Sequence, residues 1–423
     1  MAWMVLVPFM LGLFALNVRL FIAMFASVLF YFLFYGQVPM QISIQQFIGP
    51  SQNASLLAIP FFILLGTLMS YTGIAHRLLK VADLLVGKLT GGMGLANVLL
   101  STMLGGISAS NLADAAMLTR MMVPEMERQG YNRAFAAGVT AAGSLITPII
   151  PPGIALIIYG LVADVSIGKM FMAGILPGLL CCTLLMLAVY AIAKRKGYKP
   201  ARTSWPSAAE TKSTLIGAWP ALFLMVAIIG GIRLNVFTPT EAGAVAVAIV
   251  IGIGFFVFRG MTIADVTRAL HETAKSTAVV LLVIMASSAL AWIFSLEHAG
   301  DKLAALITGF TTNKYLFLIV VNVVLLVLGM LIEGTAIMIV LVPLLMPVVL
   351  KLGIDPVHFG IVLILNLAIG CLTPPVGTVM LLVCNLSKVS VADFVKQSGL
   401  LFLALFAALA LITFVPFFST ALI

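Results

Sequence analysis

The sequence predicts an all-α polytopic membrane protein built from two inverted repeats with re-entrant hairpins and broken helices. Three observations predict it: a very apolar composition, a series of long uncharged stretches, and a near-constant offset relating the two halves. Of 423 residues, 62% are hydrophobic and only 9% charged, whereas soluble domains carry about a quarter charged residues. A water-facing surface of this composition would be one continuous apolar patch. That excludes a soluble enzyme and a nucleic-acid-binding protein, despite a formal net charge of +9. In a membrane protein such an excess reads as the basic bias of cytoplasmic loops. Cys181, Cys182, Cys371 and Cys384 show no zinc, redox or disulfide spacing, and His76, His271, His298 and His358 lie far apart.

Runs without Asp, Glu, Lys or Arg place the spans in order. They are Met1–Val18, Leu20–Ala75, Leu89–Ala113, Ala134–Ala163, Met170–Ala193, Leu215–Ile232, Ala242–Phe258, Ser276–Leu296, Tyr315–Ile332, Gly334–Leu350, Val357–Ser387 and Gln397–Ile423. A helical span needs about 20 apolar residues, so several runs are single spans and the longer ones hold two spans or a re-entrant piece. Helices are the default in hydrocarbon because they satisfy their own backbone; the short alternating segments of a β-barrel are absent. The first twenty residues lack a basic start and a cleavage site, and read as a retained first span. Lys194–Lys212, with six basic residues and one Glu, reads as a cytoplasmic loop.

That loop lies almost at the midpoint, and the halves match weakly at an offset of about 221–224 residues. Gly106 falls opposite Gly329, Pro124 opposite Pro347, Gly130 opposite Gly353, and Gly153 opposite Gly377. Val165-Ser166 falls opposite Val389-Ser390, and Met40-Gln41-Ile42 opposite Met261-Thr262-Ile263. Repeats on this scale are typical of secondary transporters. Two amphipathic pieces recur as well. Met261–Ser276 gathers Asp265, Arg268, Glu272 and Lys275 on one face and corresponds to Gln41–Ser55. Thr72–Lys88 gathers His76, Lys80 and Asp83, opposite Ile74, Leu78, Val81 and Leu85, and corresponds to His298–Asn313. Both are expected to be interfacial or arm helices, with an ordinary polar loop helix as the bland reading.

Two kinds of interruption stand out, each present in both halves. Gly105-Gly106-Ile107-Ser108-Ala109-Ser110-Asn111, followed by Asp114, is poor helix material inside an uncharged run; its mate is Gly329–Thr335, containing Glu333 and Gly334. Broken helices of this kind offer carbonyl and side-chain oxygens to a hard cation such as sodium. The second kind is Gly143–Gly153, with Thr147, Pro148, Pro151 and Pro152, mated with Gly370–Gly377, with Thr373, Pro374 and Pro375. Proline removes a donor and unwinds the helix, exposing carbonyls to an ion and half-helix N-termini to an anion. Small residues in spans also mediate close helix packing, and a lone proline usually marks a kink. Glu333 reads either as part of the transport site or its coupling, or as a protonated, hydrogen-bonded structural group. Asp114 and Asp164 stand between the two readings, and Glu241 reads as a helix-start residue.

At these residues the sequence resembles the large membrane subunit of the tripartite ATP-independent periplasmic (TRAP) transporters, over nearly the whole chain. The resemblance is carried by IPFFILLGTLM (Ile59–Met69), the Gly-Ser cluster before Asp114-Ala115-Ala116, TPIIPPG (Thr147–Gly153) and LTPPVG (Leu372–Gly377). Ala109 stands where many members carry glycine. The resemblance implies sodium-coupled uptake of an organic acid, with general likeness leaning to the sialic acid branch, through an elevator-type transporter of the bacterial cytoplasmic (inner) membrane, and no enzyme activity. Ser108, Ser110, Asn111, Gly143, Thr147, Pro148 and Pro151 would then build one sodium site. Gly334, Thr335, Gly370, Thr373, Pro374 and Gly377 would build the other, with Ser108, Asn111, Glu333 and Thr373 at the substrate or its coupling.

The implied division is scaffold and arm helices over 1–88, a core hairpin and broken helix over 89–193, a linker over 194–214, and the second scaffold and core over 215–314 and 315–423. The implied partners are a small membrane subunit on a separate chain, a periplasmic binding protein, the organic acid and membrane lipid. No nucleic acid and no cofactor beyond the coupling ion are implied. No GxxxxGK[ST] stretch is present, so the energy is expected from an ion gradient or a partner. A single-component sodium/dicarboxylate symporter is the alternative within transporters. An intramembrane protease would need a nucleophile–base or carboxylate pair that the scattered histidines do not supply, and a channel would show no substrate-dependent coupling.

Overall fold

The computed structural model describes residues 3–16, 18–35, 39–105 and 111–423. Among the described residues there is no strand, and eight helical stretches are long and apolar enough to cross a membrane.

The first half opens with α1 (Trp3–Ala15) and α2 (Leu20–Phe34). Among the described residues the former is 13 residues long, against the ~20 that a span requires. Next come α3 (Met40–Ile48), two 3₁₀ turns over Gly49–Gln52 and Ala54–Leu57, and α4 (Ala58–Tyr71). Gly49-Pro50 ends α3, and the side chain of Asn53 accepts the Ser55 N–H at 2.9 Å to start the second turn. Helices α5 (Ile74–Val86), α6 (Gly92–Gly105), α7 (Asn111–Arg128), α8 (Arg133–Ser144), α9 (Ile154–Val162) and α10 (Ile167–Lys196) complete the half. In α5 the expected apolar face is buried at Ile74, Leu78 and Val81, but Leu84 rather than Leu85 turns inward.

The second half follows as α11 (Ala208–Arg233), α12 (Pro239–Gly252) with a π turn over Ile253–Val257, α13 (Ile263–Leu296) and α14 (Ala299–Phe310). It ends with α15 (Lys314–Leu331), α16 (Gly334–Lys351), α17 (Pro356–Gly370), α18 (Thr378–Ser387), α19 (Val391–Phe414) and the short α20 (Phe417–Thr420). The amphipathic stretch Met261–Ser276 runs on into a span: from Ile263 it is the first part of the 34-residue α13. No Gly or Pro interrupts Thr262–Leu296, and a capping box starts the helix, with Thr262 and Asp265 exchanging bonds of 2.9 and 3.2 Å. Glu241 does start a helix, in a second capping box with Thr238. Asp164 lies exposed in the turn between α9 and α10.

Equivalent positions carry equivalent local chemistry. Gly130 and Gly353 take φ values of +86° and +66°, which only glycine adopts freely. The next helix in each case is capped by a side chain, Asn132 for α8 and Asp355 for α17. Asp164 and Lys388 both have φ 54°, and Ser166 and Ser390 cap the helices that follow. The halves also exchange partners: α4 packs on α12 and α13 on α2, α7 on α18 and α16 on α9, and α8 on α19 and α17 on α10. Such reciprocal packing is what two-fold related repeats produce.

The α17 cap offers a direct measurement. Asp355 accepts the Val357 and His358 N–H groups at 2.7 and 3.0 Å. Asp355→Ala is expected to cost about 1 kcal/mol, seen as a lower Tm of the detergent-purified protein; an unchanged Tm would show that the cap carries no weight.

The midpoint connection is shorter than its charge suggests. Lys194, Arg195 and Lys196 form the last turn of α10, where cations suit the helix dipole. Beyond it Tyr198 stacks on Tyr131 at 4.3 Å between centroids, and Arg202 bonds Asp83 at 2.6 Å and Glu210 at 2.5 Å.

Candidate functional site

The helix breaks fall where glycine and proline place them. Between α8 and α9, Pro151 and Pro152 supply no N–H to the carbonyls of Thr147 and Pro148, four residues back. Between α17 and α18 the Gly377 N–H instead donates to the Met330 carbonyl at 3.1 Å, tying this linker to the end of α15. Between α15 and α16, Ile332 and Glu333 are extended, and Glu333 sits at the N-cap of α16 without bonding its backbone. Its carboxylate accepts from the Thr335 hydroxyl. In the first half α6 is described to Gly105 and α7 from Asn111; Ser108 and Ser110 lie outside the described residues.

A cavity of about 1040 Å³ lies where these breaks meet. Its lining comes from α2, α4, α5 and α13 and from α6, α7, α9, α16, α17, α18 and the linkers beside them. Asn111, Ile154, Gly334 and Thr378, the first residues of α7, α9, α16 and α18, all line it. Four half-helices therefore begin at one cavity, two from each repeat. Helix N-termini carry unpaired N–H groups and a partial positive charge, which favours an anion. The described lining also holds three carboxylic side chains, Asp114, Glu272 and Glu333, against one guanidinium, Arg19. Asp114 is 2% exposed, lies in the first turn of α7, and accepts from the Thr147 hydroxyl at 2.8 Å. Glu272 accepts from the Tyr71 hydroxyl at 3.3 Å.

Residues 7–418 match the family model described as the DctM component of the tripartite ATP-independent periplasmic transporters. The chain belongs to this family. It is a multi-pass membrane transporter permease, not an enzyme, and an inner-membrane location fits it. It is 40% identical to the sialic acid TRAP transporter large permease protein SiaM of Vibrio cholerae, covering 89% of this chain and 88% of the relative. It is 36% identical to the 2,3-diketo-L-gulonate TRAP transporter large permease protein YiaN of Escherichia coli, over 89% and 88% of the two chains. In fold it is similar to the YdaH transporter of Alcanivorax borkumensis, with a TM-score of 0.58 and 16% identity over 89% of this chain and 87% of that one.

In this DctM-family chain, five of the residues assigned to the sodium or substrate sites line the cavity, Asn111, Pro148, Glu333, Gly334 and Thr335, and Asp114 lines it with them. Thr147 is buried behind it and reaches it through Asp114. Gly143, Pro151, Gly370 and Gly377 are buried, and Thr373 and Pro374 partly so; none is in the cavity lining. Two have packing reasons of their own. A Cβ on Gly143 would stand 2.7 Å from the Ser101 hydroxyl, and one on Gly370 would stand 2.8 Å from the Gly329 backbone. The Thr373 hydroxyl donates to the Ile369 carbonyl at 2.7 Å, which leaves its lone pairs for a further partner. Arg19, Glu272 and Ser276 line the cavity without having been singled out as site residues. For Arg19 the signal was present: it is the lone charge between two apolar runs.

Proposed function

We propose that this chain is the membrane-spanning carrier of a sodium-driven importer for an organic acid, with sialic acid as the substrate. The observation that carries the reading is the convergence of four half-helix N-termini on one cavity lined by three carboxylic side chains. The N-termini suit the carboxylate of an organic acid, while the carboxylic groups and the carbonyls freed by proline suit a cation. Cations beside the substrate offset its charge in a low-dielectric membrane. The names of the relatives, one for sialic acid and one for a diketo sugar acid, favour a carboxylate, and the higher identity favours sialic acid.

In this reading one sodium ion sits at the break before Asn111 and the linker of Thr147, Pro148 and Pro151. The other sits at Gly334, Thr335 and the linker of Thr373 and Pro374. The parts over 89–193 and 315–423 move together as an elevator against 1–88 and 215–314. A small membrane subunit extends the fixed part, and a periplasmic binding protein hands over the substrate, as the family implies.

The test is uptake into proteoliposomes holding the large and small subunits, with the binding protein outside. Sialic acid is expected to accumulate only under an inward sodium gradient, and Asn111→Ala is expected to raise the sodium concentration needed. Equal uptake with a proton gradient, or with none, would overturn sodium coupling.

A further inference from the structure

We propose that Arg19 is the anchor for the substrate carboxylate, in the same cavity onto which the half-helix N-termini open. The inference rests on the organic-acid reading above and adds to it a residue and a geometry.

Arg19 is the N-cap residue of α2, where its carbonyl accepts the N–H groups of Ile22 and Ala23, both at 3.0 Å. The backbone work of the cap is therefore done by the carbonyl, and the side chain makes no cap bond. Its guanidinium is exposed and lines the cavity. Among the described residues it has no hydrogen bond and no ion pair, although Asp114, Glu272 and Glu333 line the same cavity. Glu272 takes the Tyr71 hydroxyl, Glu333 the Thr335 hydroxyl and Asp114 the Thr147 hydroxyl. The acids have local partners while the base has none.

An ionisable side chain within an apolar run is costly and needs a partner. The runs on either side of Arg19 are uncharged over 18 and 56 residues, so its own stretch of chain supplies no acid. A guanidinium presents paired N–H donors that match the two oxygens of a carboxylate. At the start of α2, in a cavity also lined by the first residues of α7, α9, α16 and α18, it takes the carboxylate. The N-termini then take the remaining oxygens or the sugar hydroxyls.

The experiment measures binding of sialic acid and of its methyl ester to the purified complex of large and small subunits in saturating sodium. The ester keeps the sugar and loses the charge. The wild type is expected to bind the acid more tightly. Arg19→Gln is expected to weaken the acid by about tenfold or more while leaving the ester unchanged, which erases the discrimination. Arg19→Lys, with charge but no paired donors, is expected to fall between. A Tm within the range of the wild type for either variant keeps folding out of the comparison.

Equal weakening of acid and ester, or no change in either, overturns the anchor. Failure of the wild type to bind both probes overturns the sialic acid reading, and the anchor falls with it. The two failures are thus distinguished by the wild type alone.

Discussion

Asp114→Ala is expected to lower sodium-driven uptake by about one to two orders of magnitude, the size of a lost hydrogen bond to a charged group. The carboxyl group is buried at the start of α7 and receives the Thr147 hydroxyl at 2.8 Å. It thereby joins the second helix of one broken pair to the linker of another, and both line the cavity. Removing it leaves a buried hydroxyl without its acceptor and takes a carboxylic group from the first turn of a helix, where negative charge is favoured. Asp114→Asn keeps an acceptor of the same size and is expected to lose less. Thr147→Val removes only the donor, and its effect should be smaller than that of Asp114→Ala. The measurement is initial uptake in proteoliposomes at a fixed sodium gradient. If Asp114→Ala stays within twofold of the wild type, the group has no part in transport.

The second large effect is structural. Gly370→Val is expected to lower the yield and Tm of the purified protein, because α15 and α17 cross there with backbone against backbone. A Cβ on Gly370 would stand 2.8 Å from the carbonyl carbon and Cα of Gly329, and one on Gly329 would stand 3.2 Å from the Cα of Gly370. Neither contact ends in a flexible side chain that could swing away. Overpacking of this kind costs about 1–3 kcal/mol or more, with Gly370→Ala expected at the lower end. Gly399→Ala provides the contrast, since an added Cβ within α19 meets nothing within 4 Å. It should be neutral or stabilising by up to about 1 kcal/mol. Equal Tm values for all three variants would show that the crossing is not tight.

Several features were legible before any coordinate because their causes are local. Gly, Pro, Ser and Asn mark the ends of helices at Ser144, Leu331 and Gly370, since a missing N–H or a favoured turn acts within four residues. The repeat was legible for the same reason: the equivalent turns at Gly130 and Gly353, and the caps at Ser166 and Ser390, are written in a few residues each. Other features were not legible. Charges over Met261–Ser276 mark an amphipathic stretch, but its continuation as one helix to Leu296 shows only in the structure. Gly370 stands beside a proline pair, and the close approach of the Gly329 backbone to it is a tertiary contact. The positions of Gly329 and Gly370 in the chain say nothing of that approach.

By itself, the sequence determined the membrane setting, the helical class, the duplication and the places where helices must break. Composition and short-range backbone chemistry decide those things. Only the tertiary structure decided that the starts of α7, α9, α16 and α18 meet at one cavity, and that Arg19 and Glu272 line the same cavity. It also assigned Gly370 to a helix crossing and left Thr373 outside the lining. Such outcomes depend on contacts between segments far apart in the chain, not on neighbouring residues. The scarce polar groups of an apolar chain are visible one by one, but which of them face each other is set by how the helices pack.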